Sequence, residues 1–233
     1  MAINLSVSYY SNGNKREIFW HKGSLLHNEQ GKPALKLFNE DGPVSKKEYY
    51  FNNQLHRCTI TKGREAITED KNNKPTHIRY FPNSKIIETE IYFNHGLEHR
   101  CDKPAHIRYF PNSTIAETEI YFNNWLIHRE NDIKDCETNT ENIDKPAVIY
   151  YYNNESHQIS YEAYMQNGKY YRSNNKPSIV EYYPNGVVKK EQYITDNVFI
   201  RLNNLPTIVK YLSENNDNDI TYYYTDALGN ILR

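Results

Sequence analysis

Apolar and polar residues alternate along most of the chain in short runs that turn residues separate. One run extends from Ile78 to Phe81, Pro82 and Asn83 follow, and a second alternating run leads through Glu90 to Tyr92. Alternation with a period of two, rich in β-branched and aromatic residues, predicts β-strands. Proline and asparagine favour turns. The pattern therefore predicts a β-hairpin.

This hairpin pattern is repeated in tandem. The stretch His77 to Phe93, HIRYFPNSKIIETEIYF, begins again 29 residues later at His106 with only two substitutions. Weaker copies, most of them marked by a Lys-Pro pair, extend the pattern over the whole chain as about seven repeats of about 29 residues. We predict a single repeat domain over residues 1–233, with inserts at 58–70 and 130–142 that follow a His-Arg pair and emerge at one edge.

Each repeat also carries a glutamate two residues before an aromatic residue, which predicts a structural ladder. Its members are Glu48 and Tyr50, Glu90 and Tyr92, Glu119 and Tyr121, Glu162 and Tyr164, and Glu191 and Tyr193. In a stacked solenoid these carboxylates would lie about 4.8 Å apart and repel one another. In a meander they would lie about 9 to 10 Å apart, and bases such as Arg79 and Arg108 on the intervening strands could pair with them. We therefore predict an all-β fold of tandem β-hairpin repeats that form an elongated, twisted, largely single-layer antiparallel sheet.

Composition and charge narrow the classes of partner. The 28 basic and 29 acidic residues are interleaved and give a net charge of -1, which argues against binding to nucleic acid or to a membrane surface. The N-terminus lacks a signal-like apolar run, and the three cysteines are few and odd in number, so we expect a cytoplasmic protein that is not secreted. Cys58 and Cys101 are equivalent positions that we expect to stay unbridged on a meander, and Cys136 is expected to be a loop thiol.

Sequence motifs give no indication of catalysis. Phosphate-binding loops and the G-x-S-x-G, H-E-x-x-H and C-x-x-C patterns are absent. Glu88 and Glu90 lie at acid/base spacing, but this pairing recurs as architecture on a sheet without a predicted cavity. Equivalent histidines would lie about 10 Å apart, too far for one metal ion. We expect no enzyme activity, cofactor or metal site, and we expect each His-Arg arginine to brace a carboxylate or backbone carbonyls between repeats.

Interaction sites are expected where the repeat is broken. The inserts share one edge, and the residues predicted to form a partner-binding edge there are Arg57, Arg64, Arg100, Arg129, Asp132 and Asp135. The inserts could equally be tolerated loops. The terminal strands, residues 7–10 and 220–224, would leave open sheet edges, which suggests an edge-strand homo-oligomer.

The tyrosine-rich strand, N-G-type turn, Glu-x-aromatic strand and second N-G-type turn resemble the MORN repeat family, in its longer bacterial and phage-like variant. Junctions such as Leu97 to Ala105, LEHRCDKPA, are similar to repeats in proteins of giant DNA viruses of amoebae. The resemblance implies a non-enzymatic scaffold for protein–protein interaction, for example a viral structural or host-interaction protein in the host cytoplasm or the virion. The alternative is an antitoxin-like protein or inhibitor that binds one specific enzyme.

Overall fold

A computed structural model describes residues 2–29, 31–57, 74–101, 103–129, 144–214, 219–226 and 230–232. Both predicted inserts, 58–70 and 130–142, lie outside the described residues. By contacts the chain divides into two compact units, residues 1–100 with 105–116, and residues 101–104 with 117–233.

Seven pairs of strands of four to eight residues follow one another along the chain. They are β1 (Asn4–Tyr9) and β2 (Lys15–Lys22), β4 (Leu35–Phe38) and β5 (Val44–Glu48), β8 (His77–Tyr80) and β9 (Ile87–Ile91), β12 (His106–Tyr109) and β13 (Ala116–Ile120), β16 (Val148–Tyr151) and β17 (Ile159–Ala163), β20 (Ile179–Tyr182) and β21 (Val188–Gln192), and β24 (Ile208–Tyr211) and β25 (Ile220–Thr225).

One or two strands of two residues follow each of these pairs. They are β3 (Leu25–Leu26), β6 (Tyr50–Phe51), β7 (Gln54–Leu55), β10 (Phe93–Asn94), β11 (Leu97–Glu98), β14 (Phe122–Asn123), β15 (Leu126–Ile127), β18 (Met165–Gln166), β19 (Lys169–Tyr170), β22 (Ile194–Thr195), β23 (Val198–Phe199) and β26 (Ile231–Leu232). A 3-10 turn spans Leu202–Asn204.

The long strands are neighbours in chain order and antiparallel. In the first unit the order is β1-β2-β4-β5-β8-β9-β12, and in the second unit it is β13-β16-β17-β20-β21-β24-β25-β26. Equivalent strands of successive repeats are therefore two strands apart, as the meander requires. The prediction of an all-β fold made of tandem hairpins in an antiparallel sheet is confirmed.

The short strands form tight two-residue hairpins. In β10–β11 both turn residues, His95 and Gly96, have positive φ, of 48° and 80°. Positive φ at both positions defines the type I′ turn, whose twist matches that of the flanking strands. Successive short hairpins are joined by backbone hydrogen bonds, such as the one that the Gly168 N–H donates to the Ile127 carbonyl at 2.9 Å.

The short hairpins cover one face of the sheet in the second unit. On that face Val148, Ala163 and Ile179 lie side by side in register and are buried together with Ile194. Met165 and Phe199, from two short hairpins, pack against this cluster. The opposite face carries the glutamates, because Glu162 precedes Ala163 and side chains alternate along a strand.

Candidate functional site

Backbone hydrogen bonds define the repeat frame independently of side-chain pattern. In six repeats one aromatic residue, near the end of the second long strand or directly after it, donates its N–H across the repeat junction and accepts an N–H from the residue seven positions later. These aromatic residues are Trp20, Tyr49, Tyr92, Tyr121, Tyr164 and Tyr193. In this backbone frame, Lys47 and Tyr49 are equivalent to Glu90 and Tyr92. Glu48 and Tyr50, which were predicted to be the ladder pair, therefore lie one residue further along the chain. The sequence reads Glu-Tyr-Tyr there, and the predicted pair is still in contact, because the Tyr50 hydroxyl donates to Glu48 at 3.3 Å.

In the other predicted ladder repeats the glutamate accepts hydrogen bonds from tyrosines. At Glu162 the hydroxyls of Tyr164 and Tyr182 donate at 3.3 Å and 2.7 Å. Tyr182 belongs to the following repeat, so each such cluster joins two repeats. Burial and the neighbouring Glu162 carboxylate raise the pKa of both tyrosines. The two tyrosine hydroxyls of this half-buried network therefore stay protonated at neutral pH.

The same arrangement recurs along the sheet. Donor and acceptor distances are 3.2 and 3.1 Å for Tyr92 and Tyr109 to Glu90, 3.1 Å for Tyr151 to Glu119, and 3.1 and 3.4 Å for Tyr193 and Tyr211 to Glu191. The expectation that neighbouring bases pair with these carboxylates is wrong for Glu90, which is flanked by Ile78 and Ile107. Arg79 is out of phase by one residue and lies 3.8 Å from Glu88 instead.

Arginines of the predicted partner-binding edge are engaged within the chain. The guanidinium carbons of Arg57, Arg100 and Arg129 lie 4.1, 3.6 and 3.7 Å from the ring centres of Tyr49, Tyr92 and Tyr121. Arg57 also donates to the Pro75 carbonyl, and Arg129 donates to the Pro146 carbonyl. The expected bracing of backbone carbonyls is confirmed for these two. Arg64, Asp132 and Asp135 lie outside the described residues.

The frame histidines hold the short hairpins in place. His27 and His128 are buried, and their Nδ1 atoms accept the backbone N–H groups of Asn52 at 3.2 Å and Asn167 at 3.0 Å. Each acceptor therefore serves the turn of the next repeat, which gives the ring a structural role. Within the described ranges, no group of three or more His, Cys, Asp or Glu residues is arranged to hold a metal ion.

Cys101 departs from its expected state, because it forms a disulfide. Equivalent positions on the strands of a meander are too far apart for a disulfide. Cys101 is not on a strand, because it lies in the connection between β11 and β12. The other two cysteines, at positions 58 and 136, lie outside the described residues. The cysteine content therefore no longer supports a reducing compartment. No described helix is long and apolar enough to cross a membrane.

Trp125 is the clearest departure from the repeat in the second unit. It occupies the second turn position of β14–β15 with φ of 74°, where the equivalent residues are Asn53, Gly96, Gly168 and Asn197. Glycine and asparagine tolerate positive φ, whereas a bulky side chain there is a strained outlier. Its side chain is nevertheless 52% exposed, so burial does not compensate for this strain.

Other exposed apolar residues accompany Trp125 on the short hairpins. Leu126 is 48% and Ile200 54% exposed. A methyl group placed on Gly168 would lie 3.6 Å from the Leu126 side chain, so neighbouring hairpins contact here. We define the hairpin surface as Trp125, Leu126, Tyr171, Val198 and Ile200, all exposed. Sequence reasoning missed it, although Asn124-Trp125 visibly departs from the Asn and Gly pairs at equivalent turns.

No family model, curated protein or solved structure matches the chain.

Proposed function

We propose that this protein is a non-enzymatic scaffold that binds another protein through the hairpin surface. The observation that carries the proposal is Trp125, a strained and exposed tryptophan at a turn position that otherwise holds asparagine or glycine. Residues held in strained backbone conformations cluster at functional positions. Tryptophan is also among the residues that most often supply the binding energy of protein interfaces.

The surroundings of Trp125 suit a protein partner. Leu126 and Val198 are exposed apolar residues at equivalent positions of two short hairpins, with the hairpin β18–β19 between them, and exposed apolar residues close to one another mark interaction surfaces. Between them Lys169 and Asp196 form an exposed ion pair at 3.4 Å, which adds polar groups to this surface.

The hairpin surface is also ordered before any partner binds. Backbone hydrogen bonds connect the short hairpins, including the one from Asp196 N–H to the Tyr170 carbonyl at 2.9 Å. A preorganised surface loses little conformational entropy on association, which favours affinity. The resemblance of the repeats to MORN sequences points to the same class of function.

Site-specific photo-crosslinking tests the proposal. A photoreactive amino acid replaces Trp125 in cells that express the protein, and a matched control places it at Asn53, the equivalent turn position of the first unit. We expect discrete protein adducts from position 125 and none from position 53. Equal adducts from both positions, or none from either, would contradict the proposal. A single adduct with an enzyme whose activity the protein blocks would favour the inhibitor alternative over a scaffold.

A further inference from the structure

The strands β1 and β25 each leave one side open in the part of the chain that the structure describes. β1 pairs only with β2, whereas β25 pairs with β24 and, through its last two residues, with the short strand β26. Strands inside each unit, such as β5 and β20, have a long neighbour on both sides. The short pair β6–β7 follows β5 as β26 follows β25, and β5 still pairs with β8. β25 therefore keeps an edge that a further long strand can use.

Neither open strand carries the groups that usually protect a sheet edge. Natural edge strands are blocked by charged side chains, by proline or by being very short. The sequences of β1 and β25 are NLSVSY and ITYYYT, which contain no charged residue and no proline. Both strands have six residues, whereas strands inside the sheet such as β8 and β9 have four or five. These two edges are therefore suited to pairing with another strand.

Tyr9 of β1 has the position of a residue that contacts a preceding repeat. The register of β1 with β2 shifts between Ser8 and Tyr9, as that of β20 with β21 shifts between Glu181 and Tyr182. Tyr9 is therefore equivalent to Tyr182, which is partly buried and donates a hydrogen bond to Glu162 of the preceding repeat. Tyr9 instead is 58% exposed. Its ring lies where a preceding repeat would cover it.

Two tyrosines of β25 have the positions of residues that contact a following repeat. β24 and β25 pair in the same register as β20 and β21, so Tyr224 is equivalent to Tyr193. By the same register Tyr222 is equivalent to Glu191. Tyr193 is 5% exposed and donates its backbone N–H to the Thr207 carbonyl of the following repeat. Tyr224 is 47% exposed and Tyr222 is 54% exposed. The edges of β25 and β1 thus correspond to the two halves of a repeat junction.

We infer that β25 of one copy pairs antiparallel with β1 of a second copy, so that the meander continues from one molecule into the next. Inside the chain, Glu191 of β21 pairs with Val209 of β24 at the corresponding junction. The same register places Tyr222 opposite Val7 of the second copy, and Tyr9 of that copy diagonally next to Tyr222. Pairs of an aromatic with a β-branched residue, and pairs of aromatic residues, stabilise neighbouring strands. No like charges oppose each other, because neither strand carries a charge.

The pairing of β25 with β1 fits these edges better than a symmetric contact between two β1 strands. β25 is the second strand of its hairpin and β1 is the first strand of its own, and this combination forms the junctions β5–β8, β17–β20 and β21–β24. A β1–β1 contact has no counterpart in the fold and would leave the tyrosines of β25 exposed. Since a pair of copies keeps one open β1 and one open β25, association can continue beyond a dimer.

Proline can block each edge without breaking the hairpin that carries it. Backbone groups two residues apart along a strand face the same side. The N–H of Tyr222 therefore faces the open side of β25, as does that of Tyr224, whose equivalent donates to the following repeat. Val7 faces the open side of β1, because it is equivalent to Val209, and the carbonyl two residues earlier, that of Thr207, accepts a hydrogen bond from the preceding repeat. Proline is found on edge strands where the missing N–H would face solvent.

Sedimentation velocity of the wild-type chain and of the variants Val7→Pro and Tyr222→Pro tests the inference. The wild-type chain should form species larger than a dimer as its concentration rises. Each variant alone should remain monomeric, because one of its two edges is blocked. An equimolar mixture of the two variants should form a dimer and nothing larger, because the intact β25 of one pairs with the intact β1 of the other.

Several outcomes would overturn the inference. They are a wild-type chain that stays monomeric at every concentration, a mixture of the variants that does not dimerise, and loss of association in only one of the two variants, which indicates a symmetric contact. Trp125→Asn alters the hairpin surface, which shares no residue with these edges, and should associate as the wild type does. Loss of association in Trp125→Asn would assign self-association to the hairpin surface instead. If a proline variant does not fold, Leu5→Lys and Tyr222→Lys, both at exposed positions, block the edges by charge and provide the same comparison.

Discussion

The guanidinium carbon of Arg172 lies 3.5 Å from the centre of the Tyr164 ring. The same arginine donates through Nε to both oxygens of Asp144, at 3.0 and 2.8 Å, and through an Nη to the Pro177 carbonyl. One side chain thus connects the aromatic ladder, a carboxylate and the backbone of the next repeat. Its planar, multiple-donor geometry cannot be reproduced by lysine.

Arg172→Lys should therefore lower the free energy of unfolding by about 1 to 3 kcal/mol. Urea denaturation measures the change. The matched control is Lys169→Gln, which removes an exposed positive charge from an exposed ion pair with Asp196 and should change stability by less than about 1 kcal/mol. A loss in Arg172→Lys as small as that in the control would show that the positive charge, which lysine retains, is sufficient at position 172 without the stacking and donor geometry.

Glu90→Gln should lower the pKa of Tyr92. Burial and the Glu90 carboxylate raise that pKa to about 12 in the folded protein, and removing the negative charge removes one of these causes. The ring carbon that bears the hydroxyl, labelled with carbon-13, reports the titration of this tyrosine by NMR. Glu88→Gln is the control, because Glu88 contacts Arg79. An unchanged titration in Glu90→Gln would refute the assignment.

The same pKa shift predicts the alkaline limit of stability. Since the folded pKa of Tyr92 is raised above the ordinary value of 10.0, the folded state retains a proton that the unfolded state loses. The associated stability is complete below pH of about 10 and is lost as pH rises through about 12. The free energy of unfolding measured over this range should fall less steeply in Glu90→Gln than in the wild-type protein.

Glu48 should stabilise the protein against acid. Burial raises the pKa of Glu48, but hydrogen bonds from His77 and Lys46 outweigh it and lower the pKa to about 2 from the ordinary 4.5. The folded state therefore binds the proton less readily than the unfolded state. The stabilisation, at most roughly 3 kcal/mol, is present above pH of about 4.5 and is lost as the pH falls through about 2.

Glu48→Gln should accordingly be less stable at neutral pH, with a shallower loss of stability on acidification. Urea denaturation at a series of pH values measures both effects. Glu155 is exposed, so Glu155→Gln is the matched control and should reproduce the wild-type pH dependence. A parallel acid branch in Glu48→Gln and the wild type would show that the pKa of this carboxyl is not depressed by folding.

Trp125→Asn should raise the melting temperature while it removes partner binding. Asparagine occupies the equivalent positions 53 and 197 and tolerates positive φ, so the substitution relieves strain of about 1 kcal/mol. Calorimetry measures the melting temperature, and Asn53→Trp is the reciprocal control that should lower it. A lower melting temperature in Trp125→Asn would mean that the tryptophan stabilises the fold, contrary to the proposed interaction role.

The hairpin order was accessible from sequence because alternation and turn residues are local signals. Copies such as His77 to Phe93 made the period visible, and the distance between like charges favoured a meander. Side-chain partners were less accessible, because they depend on which residues are in register. A difference of one residue moves a side chain to the other face, which is why Arg79 contacts Glu88 and not Glu90.

The hairpin surface was missed for a different reason. Sequence reasoning sought function in the inserts, whereas Trp125 is a single substitution inside the regular frame. Trp125 could have been found by comparing the residues at equivalent turns, where asparagine or glycine is otherwise present. The strain at this position depends on its positive φ, which only the structure shows.

In the carboxylate clusters, a tyrosine of the following repeat donates a hydrogen bond to the glutamate. This arrangement affects how the chain can gain or lose repeats. Tyr109 donates to Glu90, and Tyr151 donates to Glu119, so successive junctions are interchangeable. Unequal recombination between the two near-identical gene segments, which begin at His77 and His106, would delete 29 residues. Glu119 would then occupy the place of Glu90, and Tyr151, which donates to Glu119, would still follow it in the next repeat. Gene duplication and loss can therefore add or remove whole repeats without leaving a glutamate short of a donor.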